Sequence, residues 1–250
     1  MKNLNNKHFF FLTLGIIIIC EIISWLGFFN SLIVNIFTSL IILATIFITL
    51  KKPVYGFLIL TTELLIGSQG YLLWLGQTGH HLSLRIVLWI IVMAIWIIKE
   101  ISEFIKTKKI PERFFYFSYY FPFLLLLISL IAAVIIGFIN HNGISLIFIE
   151  AKRWLYIIAI IPLVILFKDE KDRHDLVIVG SAAVIWIAFK TLFLLYIFSH
   201  GLFISSIIYS WTRADLLGEI TKLQNGFSRV FSTITGLCYS GSAFFFSFIF

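Results

Sequence analysis

The stretch Phe9–Phe28, FFFLTLGIIIICEIISWLGF, holds one charged residue, Glu21. Two residues later a second apolar stretch begins, Ser31–Leu50, SLIVNIFTSLIILATIFITL. A helix crosses the hydrocarbon core of a bilayer with about 20 predominantly apolar residues, so each stretch reads as a membrane span. Working outward, six further candidates follow: Val54–Leu75, Leu82–Ile98, Phe114–Ile139, roughly Ile144–Phe167, Leu176–Phe198 and Val230–Phe250. The expected fold is all-α, a polytopic transmembrane helical bundle of about eight spans that forms a single transmembrane domain over residues 1–250.

Composition agrees. Of 250 residues, 60% are hydrophobic, 18% aromatic and 12% charged, with 28 Phe. The charged share is half of the about 25% found in an ordinary soluble domain, and mean hydropathy is +1.04. Too little polar surface remains to cover a water-soluble particle. A soluble enzyme, a disordered chain and a nucleic-acid-binding module are excluded. Cys20 and Cys238 lie in apolar runs without Cys or His at ligand spacing and read as small core residues. No metal-ligand spacing and no glycine-rich phosphate loop appears, so no cofactor is expected.

The net charge of +7 is explained by topology. Lys2 and Lys7 precede the first span, which lacks a small-x-small cleavage site and reads as a retained signal anchor. With the N-terminus in the cytoplasm, the cytoplasmic segments hold Lys2, Lys7, Lys51, Lys52, Lys99, Lys106, Lys108, Lys109, Arg113, Lys168, Lys171 and Arg173. That is twelve of the nineteen Lys and Arg. The opposite side holds Lys152, Arg153, Arg213, Lys222 and Arg229. This is a positive-inside bias, and it leaves no need for a nucleic-acid partner.

Six charged residues interrupt the spans: Glu21, Glu63, Arg85, Lys152, Arg153 and Lys190. A charge at mid-bilayer costs a few kcal/mol even on lenient scales. At 1.5 Å of rise per residue, Arg85, Arg153, Lys190 and Glu21 all reach about 21–22 Å from the cytoplasmic ends of their helices, and Glu63 about 16 Å. The segment Trp154–Phe167 is too short to cross alone, which draws Glu150, Lys152 and Arg153 into the outer leaflet, with Pro162 as a candidate kink. Snorkelling explains any one of these charges. A polar cavity open to the outer face, lined by Arg85, Arg153 and Lys190 with part of the charge paired by Glu21 or Glu63, explains them together. Arg suits bidentate phosphate binding, and a cationic pocket at this depth fits a lipid diphosphate whose tail stays in the bilayer.

In the long outer segment Ser199–Arg229, Thr212-Arg213-Ala214-Asp215 has capping-box-like spacing. Leu216, Leu217, Ile220 and Leu223 follow at helical intervals. A short amphipathic surface helix is expected there, after an interfacial or re-entrant piece at Leu202–Trp211. Arg213 and Arg229 flank the loop and extend the cationic rim. His80 and His81 sit in the expected outer turn before Arg85, with His141 and His200 in other outer turns. Each reads either as a hydrated interfacial side chain or as a general base or sugar ligand.

Leu82-Ser83-Leu84-Arg85-Ile86-Val87-Leu88-Trp89 resembles the Ser-Leu-Arg-Ile start of a span in O-antigen ligases and the related Wzy-type O-antigen polymerases. Glu150-Ala151-Lys152-Arg153-Trp154-Leu155-Tyr156 resembles the basic, aromatic start of a later span in that family. Phe227-Ser228-Arg229-Val230-Phe231 is similar to the Arg-led start after its middle outer loop. The likeness covers most of the chain as order and spacing of spans, while the motifs are short. It implies a glycosyltransferase of the bacterial inner membrane that moves a glycan from undecaprenyl diphosphate to a lipid A-core or glycan acceptor at the outer face, without nucleotide sugar or metal. Arg85, Arg153 and Arg229 match arginines that hold the diphosphate. The family's large later outer loop has no counterpart here, so the chain is expected to be the N-terminal part of a longer protein. The rival readings are a transporter or flippase for an anionic lipid-linked saccharide or solute, and a structural subunit whose charges only pair helices.

Overall fold

The computed structural model describes residues 2–67, 72–77, 80–108, 120–141, 143–144, 147, 156–214, 219–222 and 228–231, with side chains placed for most of them. The molecule is predominantly helical. In order, the elements are α1 (Lys2–Phe29), α2 (Ser31–Lys51), α3 (Pro53–Ile66), β1 (Trp74–Gln77), β2 (His80–Ser83), α4 (Leu84–Thr107) and α5 (Tyr120–Ile139). A 3₁₀ turn (Tyr156–Ala159) then leads into α6 (Ile160–Leu166), followed by α7 (Glu170–Ser199), α8 (Ser205–Ala214), β3 (Glu219–Lys222) and β4 (Ser228–Phe231).

Among the described residues, three helices are long and apolar enough to cross a bilayer: Asn6–Phe29, Ser31–Lys51 and Glu170–Ser199. Pro53–Ile66, Leu124–Ile139 and Tyr156–Leu166 are shorter apolar helical stretches. This is the make-up of a membrane protein, and the packing is inverted to match. In α2 the buried residues are Val34, Thr38, Thr45 and Thr49. Leu32, Leu40, Leu43 and Phe47 face out, each 52–65% exposed. In lipid the apolar side chains need no shelter, and small or hydroxylated residues let helices approach. Thr45 and Thr49 donate to the carbonyls of Ile41 (2.8 Å) and Thr45 (2.6 Å), so their hydroxyls are satisfied within the helix.

Local chemistry sets the turns. Asn30 caps α2, its side chain accepting from the Leu32 N–H at 3.0 Å. Lys52 closes α2 by donating to the Ile48 carbonyl at 2.9 Å, and Pro53 opens α3 where its missing N–H costs nothing. A Cβ on Gly56 would fall 2.7 Å from Thr49 Cγ2, and one on Gly27 would fall 2.7 Å from Val34 Cβ. These two close approaches seat α3 on α2 and α1 on α2.

The chain divides into two compact units, Met1–Val92 with Glu170–Phe250, and Met93–Asp169. In the first, α1 packs on α2 and α7, and α3 packs on the same two helices, so the four form a closed ring. The β1–β2 hairpin packs on α2 and β4 on α7. The second unit holds the later part of α4, then α5 and the 3₁₀–α6 segment. A Cβ on Gly137 of α5 would lie 3.3 Å from Ile147 Cγ1, close enough that the Ile147 side chain would have to give by a few tenths of an ångström.

Several expectations change. The span expected at Val54–Leu75 is a helix only to Ile66, and Leu75 belongs to β1. Gly67 is its C-cap, the Gly67 N–H donating to the Glu63 carbonyl at 2.7 Å. Leu82, expected to open the next span, lies in β2, and α4 starts at Leu84 and runs past Ile98 to Thr107. Against an all-α fold there are two antiparallel hairpins, pairing Trp74 with Ser83 through Gln77 with His80, and Glu219 with Phe231 through Lys222 with Ser228. The surface helix lies one segment early, at Ser205–Ala214, and Ile220 is in a strand. Val230, the expected start of the last span, is in β4. Pro162 sits in the first turn of α6, directly after the 3₁₀ turn. Residues 232–250 lie outside the described set.

Candidate functional site

Among the described residues of the first unit, two ion pairs are buried. Glu63, three residues before the end of α3, accepts from Arg85 Nε at 2.8 Å through Oε2. Arg85 Nη2 reaches the Glu63 carbonyl at 3.4 Å. The side chains are 11% and 7% exposed. Arg85 is the second residue of α4, placed there because the Leu84 N–H donates to the Leu73 carbonyl at 3.0 Å as the hairpin closes. Glu63 Oε1 has no hydrogen-bond partner and lies against Gly67, where a Cβ would collide with it.

The hairpin is anchored in turn. Asn35 of α2 donates through Nδ2 to the Gly76 carbonyl at 3.0 Å and accepts the Gly76 N–H at 2.9 Å through Oδ1. Gly76 has φ 124, which L side chains rarely adopt. Leu72, Leu73 and Trp74 are buried beside it. The hairpin is therefore a packed element that fixes the start of α4 and, with it, the Arg85 guanidinium.

The second pair joins Glu21 of α1 to Lys190 of α7, both side chains 9% exposed. Trp186 Nε1 donates to the other Glu21 oxygen at 3.2 Å. Trp211, from α8, covers the ammonium with its ring at 5.3 Å and donates to Ser24 Oγ at 3.4 Å. Three helices thus meet on one carboxylate–ammonium pair, with an indole on each side.

Of the residues singled out from sequence, the structure brings Arg85 together with Glu63, and Lys190 with Glu21. Arg213 is in the last turn of α8, two residues after Trp211, and Arg229 is in β4, which packs along α7. Only their backbones are described. Arg153, Lys152 and Glu150 lie outside the described residues. His80 and His81 are in strand β2 rather than a turn. His200 is tied locally, with Nδ1 2.9 Å from the Tyr196 carbonyl and its ring 4.4 Å from that of Tyr196. Among the described residues no group of three His, Cys, Asp or Glu is placed to hold a metal.

Sequence reasoning missed Trp186, Ser24, Asn35 and Trp211. Trp186 precedes Lys190 by four residues and Ser24 follows Glu21 by three, so helical spacing already put Trp186 on the face of Lys190 and Ser24 on the face of Glu21. Asn35 is an amide inside an apolar run, a signal passed over by a search for formal charges. Trp211 carried no sequence signal, because its contact depends on how α8 folds back. No protein-family model, curated protein or solved structure matches this chain.

Proposed function

We propose that this chain acts as a membrane glycosyltransferase of the O-antigen ligase or polymerase type. It would lie in the bacterial inner membrane with its N-terminus in the cytoplasm, and the full set of about eight spans belongs to this reading. The donor is a glycan on undecaprenyl diphosphate, and the acceptor is lipid A-core or a growing glycan at the outer face. The observation that carries the reading is the seat of Arg85. A guanidinium stands in the first turn of α4, at the end of a hairpin clamped to α2, held in place by a carboxylate from a helix that stops after 14 residues. A lipid diphosphate presents its anion at such a depth while its tail remains among the acyl chains.

In the reaction, an acceptor hydroxyl oxygen bonds to the anomeric carbon as the bond from that carbon to the diphosphate oxygen breaks. The hydroxyl proton leaves to a base, and undecaprenyl diphosphate departs with the electron pair. Preorganised cations stabilise the charge that develops on the leaving group. Arg85 and Lys190 are the described residues assigned to that role. Arg153, Arg213 and Arg229 complete the proposed set, and Glu21, Glu63 and Glu150 balance it.

The test is glycan transfer in membranes carrying the native protein with Arg85→Ala or Arg85→Lys. Loss of transfer in both, with protein levels maintained, is expected, because Lys lacks the two-pronged geometry. Unchanged transfer counts against the reading. The matched charge pairs favour a second reading, transport of an anionic lipid-linked saccharide or solute whose charge displaces a carboxylate from its cation. Proteoliposomes separate the two by yielding glycan transfer in one case and flux without bond formation in the other.

A further inference from the structure

At the end of the first unit where α1 and α7 begin, an open groove lies between them, lined by Asn6, Lys7, Phe10, Phe11, His174 and Ile178. Its chemistry changes along its length. Asn6, Lys7 and His174 offer nitrogen donors, and no carboxylate is among the lining residues. Asn6 Nδ2 and His174 Nε2 are 3.5 Å apart, at the outer limit of a hydrogen bond, so the contact is one that a stronger acceptor readily replaces. One turn into α1, Phe10 and Phe11 face Ile178 and make the wall apolar. That wall continues into the outward face of α1, where Phe11, Leu12, Ile16 and Ile19 are all more than half exposed.

The surrounding charge is mixed, with cations among the acids. Lys171 and Lys52 are in electrostatic range of Asp175, next to His174, with Asp172 as the other acid of that set. Lys51 and Arg173 are exposed at the same end. Asp169 and Glu170 are exposed there as well, so these acids offset part of the surrounding cationic charge, while Lys7 lines the groove itself.

A surface that is cationic at the membrane interface and apolar one turn deeper has the profile of a phospholipid. We propose that this groove seats an anionic phospholipid of the leaflet at the α1 N-terminal end. Lys7, Asn6 and His174 take the phosphodiester, and one acyl chain lies along Phe10, Phe11 and Ile178. Basic pockets between spans bind anionic headgroups in this way. The site is separate from the buried pairs and does not depend on the transferase reading.

The experiment uses the whole chain purified in a neutral maltoside detergent and offered phosphatidylglycerol, phosphatidylcholine or water-soluble glycerol 3-phosphate, with bound molecules counted by native mass spectrometry. One phosphatidylglycerol is expected, retained about tenfold more than phosphatidylcholine, whose choline cancels the phosphate charge. Lys7→Ala and His174→Ala should each lower its occupancy by about three- to tenfold, the loss of one charge-assisted hydrogen bond. Lys51→Ala, at the same end but outside the groove, should leave it unchanged. Lys7 and His174 are exposed, so both variants keep the packed interior. Equal retention of phosphatidylcholine, an unchanged Lys7→Ala variant, or an equal loss in Lys51→Ala overturns the proposal. Equally tight binding of glycerol 3-phosphate also overturns it, by making the ligand a free phosphate rather than a lipid.

Discussion

Removing one member of the Glu21–Lys190 pair tests whether it is a dry, mutually dependent unit. Each side chain is 9% exposed, so a lone survivor is left charged in a low-dielectric interior. Breaking a buried pair from one side costs about 3–5 kcal/mol. Lys190→Met belongs at the low end, about 3 kcal/mol, because Glu21 keeps the Trp186 donor at 3.2 Å. Glu21→Gln should cost about 2 kcal/mol, because the ammonium keeps the Trp211 ring at 5.3 Å. The double variant, with no charge left to strand, should also cost only about 2 kcal/mol, which makes the coupling about 3 kcal/mol. The assay is reversible unfolding in mixed dodecyl maltoside and SDS micelles, followed by tryptophan fluorescence and far-UV circular dichroism. Additive single effects, with coupling under about 0.5 kcal/mol, would mean that water already reaches both charges and would refute the reasoning.

Three other outcomes follow from close contacts. Gly56→Val should destabilise by about 1–3 kcal/mol, and Thr49→Ala, by removing the atoms it strikes, should recover part of the loss in the same unfolding assay. Asn35→Ala should free the Gly76 N–H and carbonyl and raise hydrogen exchange across residues 74–83, at a cost of about 1–3 kcal/mol. Asn35→Asp keeps the acceptor and should rank between Ala and the native residue. Trp211→Ala should uncover Ser24, which is fully buried, so that Ser24→Cys reacts with a small thiol reagent far faster than in the Trp211 background; equal rates would show that α8 does not cover this site.

Helix positions were legible where the apolar run and the structural element coincide. Both ends of α2 were readable within a residue or two, because Asn30 and Pro53 are unambiguous local signals. The stretch from Gly67 to Ser83 was not, since Trp74, Leu75 and Leu82 are as compatible with a span as with a hairpin. Hydropathy records the solvent that a residue prefers, and a hairpin packed beside α2 shares its preference with a helix. The same holds at Leu202–Trp211, where apolar character is shared by a surface helix and a re-entrant segment. Heights could be worked out from helical rise, which put Glu21 and Lys190 at one level. Which carboxylate meets which cation depends on the order of helices around the ring, and no periodicity encodes that order.

That pairing has a structural consequence beyond its energy. The outward faces of α1 and α7 are interchangeable runs of Ile, Leu and Phe, and lipid does not discriminate between them. A slide of α7 along α1 by one turn, about 5.4 Å, would change their exposure to lipid little. The same slide would separate Lys190 from Glu21 and lift Trp186 off its acceptor, leaving two charges in hydrocarbon at a cost of a few kcal/mol each. Apolar contact holds these helices together without choosing a register. The polar residues choose it, as Gly56 against Thr49 does for α3 and Asn35 does for the hairpin. The position of Arg85 at the start of α4 is therefore inherited from a chain of polar and steric fixes running from α1 through α2, and a substitution at Asn35 should disturb Arg85 without touching it.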